Sequence, residues 1–64
     1  MLIATEALKN YIKSFSSQKD CAEFLGISEP TISNLLAGEE VVSGSVIEKI
    51  KTITGMDFEK IFKI

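Results

Sequence analysis

Ser17-Gln18-Lys19-Asp20-Cys21-Ala22-Glu23-Phe24-Leu25-Gly26-Ile27-Ser28-Glu29-Pro30-Thr31-Ile32-Ser33-Asn34-Leu35-Leu36-Ala37-Gly38 is the stretch whose reading decides the fold. Ser17 can cap a short helix over Gln18 to Leu25, because a serine hydroxyl accepts from a backbone N–H that has no partner in the first turn. Its inward residues are Cys21, Ala22 and Leu25. Gly26 stops it, and Ile27 can pack back as the apolar partner of that left-handed turn. Ser28 caps the next helix at once. Glu29 places negative charge where the helix dipole favours it, and Pro30 removes only an N–H that had no intrahelical partner. This helix runs to about Ala37, with Ile32, Leu35 and Leu36 on its apolar face, and Gly38 ends it. Two helices joined by Gly26-Ile27-Ser28 are the mark of a helix-turn-helix over about residues 17–37. A steep crossing needs a small residue at Ala22 and anchors at Ile27 and Ile32, and all three are present.

Outward from the motif, Leu8, Tyr11, Ile12 and Phe15 recur at i, i+3, i+4 and i+7, which predicts an amphipathic helix over Thr5 to Phe15 with Thr5 as its cap. Glu39 to Ser45 reads as a loop. Val46, Ile47, Ile50 and Ile53 then predict a helix ending at Thr54, with Gly55 as the stop. Asp57 can cap a last helix from Phe58 to Phe62, followed by the tail Lys63-Ile64. The sum is five short helices in a single all-α domain spanning 1–64.

Composition excludes several classes. With one cysteine and no histidine among the 64 residues, there is no internal disulfide, no structural zinc site and no cofactor or metal set to propose. Cys21 takes a core position and reads as a buried thiol. No nucleophile or acid-base constellation is visible, so an enzyme is not expected. No apolar run has the length of a membrane span and the N-terminus lacks a signal peptide, so a cytoplasmic protein with no membrane partner is expected. The net charge of −2, from seven lysines, no arginine and nine acidic residues, opposes polyanion binding.

The ordered set Ser17-Gln18, Cys21-Ala22, Leu25-Gly26-Ile27-Ser28, Ile32-Ser33, Gly38, Ile47, Ile50, Gly55-Met56-Asp57 and Ile61 resembles the Cro/C1-type (XRE-like) helix-turn-helix family of phage repressors. That resemblance implies a compact five-helix, lambda-repressor-like domain whose third helix enters the major groove of a double-stranded DNA operator. It also implies a minimal Cro-like transcription regulator, a repressor of phage type, acting as a homodimer. Carried over by position, the DNA-binding set is Gln18 and Lys19 at the start of the second helix, with Ser28, Glu29, Pro30, Thr31, Ser33 and Asn34 on the third. The Asn34 amide can make two hydrogen bonds to adenine, Glu29 can accept from cytosine, and the Thr31 methyl can touch thymine.

Where the family usually carries basic or small polar residues after the third helix, this chain has Glu39-Glu40. The alternative function is therefore an interaction module of the same fold that binds another regulatory protein, with weak or no DNA binding. The place of that acidic loop relative to the third helix discriminates the two. Phe58, Ile61, Phe62 and Ile64 form an apolar cluster heavy for a one-turn helix and are candidates for a symmetric dimer contact.

Overall fold

A computed structural model describes all of residues 1–64. In chain order the elements are β1 (Ile3–Ala4), α1 (Glu6–Lys13), α2 (Gln18–Leu25), α3 (Glu29–Ala37), α4 (Gly44–Thr54), α5 (Phe58–Ile61) and β2 (Phe62–Lys63). Helices hold 62% of the chain, so the all-α class stands, with five helices. None is long and apolar enough to cross a membrane.

The caps explain where most helices begin. Thr5, Ser17 and Ser28 each have extended backbone, and each side chain accepts from the N–H three residues on, at Leu8, Asp20 and Thr31. Gly26 (φ +72°) and Gly38 (φ +78°) close α2 and α3 in the left-handed conformation, which any other residue adopts only under strain. At both ends the following N–H folds back, from Ile27 to the Ala22 carbonyl and from Glu39 to the Asn34 carbonyl, each at 3.0 Å.

Eleven residues make one core: Ala4, Leu8, Ile12, Cys21, Ala22, Leu25, Ile32, Leu35, Ile50, Ile61 and Phe62. β1, α2 and α5 each pack against α1 or α3, so these two helices form the centre on which the rest is laid. Ile27 and Leu36 are half-buried against that core, beside the fully buried Ile32 and Leu35. The radius of gyration of 10.3 Å is close to the ~10.7 Å expected for a packed chain of this length.

Several boundaries differ from the sequence reading. The first helix ends at Lys13 rather than Phe15. The fourth starts at Gly44, inside the expected loop, because Ser43 already takes the extended conformation of a capping residue and its carbonyl accepts from Ile47. Asp57 precedes the last helix without a side-chain cap, and its backbone carbonyl instead accepts from Lys60 and Ile61. That helix stops at Ile61 rather than Phe62.

The largest difference is a short antiparallel ladder between the two ends of the chain, Ile3 opposite Lys63 and Ala4 opposite Phe62. Thr5 reinforces it, donating from its N–H to the Ile61 carbonyl at 3.0 Å and from its hydroxyl to the Lys60 carbonyl at 2.6 Å. Turning into this ladder buries Phe62 together with Ile61. Neither is available as a dimer contact, and of the expected apolar cluster only Phe58 and Ile64 reach the surface.

Candidate nucleic-acid interface

The turn between α2 and α3 is held from three sides. Gly26 reverses the chain, Ile27 packs its side chain on the core, and Lys49 from α4 donates to the Gly26 carbonyl at 3.0 Å. A cation at the C-terminal end of α2 also meets the negative end of the helix dipole. Nothing local in the sequence links Lys49 to a residue 23 positions away.

On this scaffold the eight expected DNA-binding residues lie at or between the N-terminal end of α2 and the body of α3. Gln18, Lys19, Ser28, Glu29, Pro30, Ser33 and Asn34 are exposed, and Thr31 is half-buried. The hydrogen bonds divide them. Ser33 donates to the Gln18 side-chain oxygen at 2.8 Å, which joins the start of α2 to the middle of α3. Ser28 and Thr31 share a hydroxyl contact of 2.8 Å, so the cap residue also sets the Thr31 rotamer. Asn34 enters no such side-chain bond, leaving both its carbonyl and its NH2 to an outside partner. Glu29 and Lys19 have no ion-pair partner either; the two salt bridges present are Lys9 with Glu6 and Lys51 with Glu48. The arrangement is a neutral, hydrogen-bonding helix face framed by two helix N-termini, which favours anions by dipole rather than by cations.

The acidic loop is not remote from this face. Glu39, Glu40, Val41, Val42 and Ser43 line one open recess of about 150 Å³ together with Thr31, Asn34 and Leu35 of α3 and Val46 of α4. The Val41 N–H donates to the Leu2 carbonyl at 2.7 Å, which ties the loop to the N-terminal strand. The Lys9 ammonium comes near the end of α3, since a Cβ added at Gly38 would lie 3.9 Å from it, but its ion pair is with Glu6. Glu39 and Glu40 thus stand unpaired beside Asn34.

Cys21 lies fully inside the core, and burial pushes its thiol up from the ordinary value of 9.0. A protonated thiol without solvent access is inert packing.

No curated protein and no solved structure matches the chain. Among protein families, the NUMOD1 domain matches residues 3–36, which runs from β1 into the last turn of α3 and takes in all but the final residue of the two-helix motif. That family, rather than the Cro/C1 group, is the one matched, so the resemblance drawn from sequence holds at the coarser level of a DNA-binding helix-turn-helix. With over half its length matched, the chain belongs to the NUMOD1 domain family, a DNA-binding helix-turn-helix-like module found in homing endonucleases.

Proposed function

We propose that this chain is a sequence-specific binder of duplex DNA that lays α3 in the major groove and acts as a transcription regulator of the Cro-like repressor type, by binding rather than catalysis. The observation that carries the reading is the exposed Asn34 amide on a helix whose other hydroxyls are already engaged. An asparagine free on both sides makes a bidentate contact to adenine N6 and N7. Gln18, held by Ser33, and Lys19 sit where the backbone passes the start of α2. Ser28 orients Thr31, whose methyl faces a thymine. Glu29 either accepts from cytosine or serves the helix dipole.

The protein works in the cytoplasm on a paired half-site, two copies meeting through Phe58 and Ile64, which are 36% and 97% exposed. The regulatory role and the phage-type context rest on the Cro-like resemblance, and the family's occurrence in homing endonucleases supports the DNA-reading step alone.

A randomised duplex pool selected at low salt tests this. The wild type should enrich an A·T-containing half-site, and Asn34→Ala should lose ~1–3 kcal/mol on that site while relaxing the choice of one adenine. Failure of the wild type to enrich any sequence would overturn the reading.

A second reading, an interaction module for another regulatory protein, is favoured by the unpaired Glu39 and Glu40 beside Asn34. Two carboxylates at the edge of a reading face repel phosphate.

A further inference from the structure

The recess between α3 and α4 has a chemistry that DNA does not use. Its floor is aliphatic, from Leu35, Val41 and Val46, its lip is Val42, which is 84% exposed, and its rim carries Glu39 and Glu40. Neither carboxylate is within ion-pair distance of a lysine, although this chain has seven. At about 150 Å³ the recess, open to solvent, has the space for one branched aliphatic side chain. The loop that forms it is held from behind by the Val41 to Leu2 hydrogen bond, so the recess is formed before any ligand arrives.

We propose that this recess docks a short basic and apolar segment of a partner protein. One aliphatic side chain enters between Leu35 and Val46, and the flanking lysine or arginine of the segment pairs with Glu39 and Glu40. Charge complementarity selects this occupant: a polyanion is repelled by the same two carboxylates, and an acidic or uncharged segment leaves them unanswered. Because Thr31 and Asn34 belong to the same wall, the docked segment covers the residues assigned to base reading, and the two ligands exclude one another. The proposal deepens the interaction-module reading, on which it rests, and gives it a place.

The probe is a capped pentapeptide alternating lysine and leucine, compared with lysine–serine and glutamate–leucine versions, titrated into the ¹⁵N-labelled chain. The lysine–leucine peptide should shift the amides of Asn34, Glu39, Glu40, Val41 and Val42 and bind more tightly than either comparison peptide. Glu39→Gln with Glu40→Gln should weaken it about fivefold, the scale of two exposed ion pairs, and Val42→Ser should weaken it independently. Glu23→Gln with Glu59→Gln, which removes the same charge elsewhere, should leave it unchanged.

Equal loss in that second pair, or equal binding of the lysine–serine peptide, would reduce the effect to general acidity and overturn the proposal. Shifts confined to the aromatic cluster of Tyr11, Phe15 and Phe24, whose neighbouring rings lie 5.6 and 5.5 Å apart with Phe24 exposed, would overturn the site while leaving an interaction module standing, whereas no binding by any peptide would sink both. Sedimentation of the chain alone is the remaining arm: self-association lost in Glu39→Gln with Glu40→Gln would replace the partner protein by a second copy.

Discussion

At the level of single residues, the interior is decided by how each side chain handles polarity. The core contains no buried polar or charged residue, and no buried side-chain polar atom is left without a partner. Cys21 is the one ionisable group inside it. Its thiol is raised by desolvation, so between the ordinary value of 9.0 and the higher folded value the native state holds a proton that the unfolded chain releases. Stability from this group is complete below about that ordinary value and falls as pH rises through the folded one. Urea melts across the alkaline range should show this decline for the wild type and a smaller one for Cys21→Ala, after allowance for the ~1 kcal/mol scale of a small packing loss. Alkylation by iodoacetamide at neutral pH should wait on unfolding.

Helices and strands depend on contacts of two ranges. The three hydroxyl caps act within four residues and were readable directly from Thr5, Ser17 and Ser28. Thr5 also reaches across the chain to the Lys60 carbonyl, whereas Ser28 holds Thr31 twice, accepting from its N–H and contacting its hydroxyl. Ser28→Ala should lower the melting free energy by ~1 kcal/mol, the usual loss for a serine cap. On the proposed reading it should also weaken DNA binding, because Thr31 regains rotamer freedom on α3; Ser28→Asp should recover the stability. Calorimetry with a binding titration on the three proteins separates the two effects. The ladder of β1 and β2 works at the longer range. Two-residue strands carry no alternation that a sequence pattern detects, and their partners lie about sixty positions apart along the chain.

For the whole molecule, small size makes each large core side chain count. Phe62 and Ile61 close the core from the C-terminal end, and Phe62 is simultaneously the strand partner of Ala4. Phe62→Ala should cost ~3–5 kcal/mol, which for a domain of this size is enough to unfold much of it at 37 °C. Phe58→Ala, at a site 36% exposed whose ring lies 5.7 Å from that of Phe62, should cost less, ~1–2 kcal/mol, and should in addition lower self-association by sedimentation.

The net charge of −2 is also a property of the whole, and its distribution matters more than its sum. Lys19 is the one lysine at the motif's face, while Lys49 is spent on the Gly26 carbonyl. Affinity for duplex DNA should therefore fall only gently with salt, with a logarithmic slope of about −2 to −4 corresponding to a handful of phosphates. Anisotropy titrations across a salt series measure it, and a steep slope would mean that more lysines reach the backbone.

The helix-turn-helix, its caps and its glycine stops were legible along the chain because each is a local matter of N–H groups, hydroxyls and backbone conformation within a few residues. The exposure of Gln18 and Lys19 on α2 and of Ser28, Glu29, Pro30, Ser33 and Asn34 at and along α3 followed from the same local pattern, while Thr31 is half-buried. Packing decided the rest. It joined Gln18 to Ser33, set Lys49 on the turn, and drew the chain ends into a ladder that buried Ile61 and Phe62 instead of offering them to a second copy. It also brought Glu39 and Glu40 to the wall of Asn34. These are pairings between residues distant in sequence, and they form only once the elements have been brought together around a shared core.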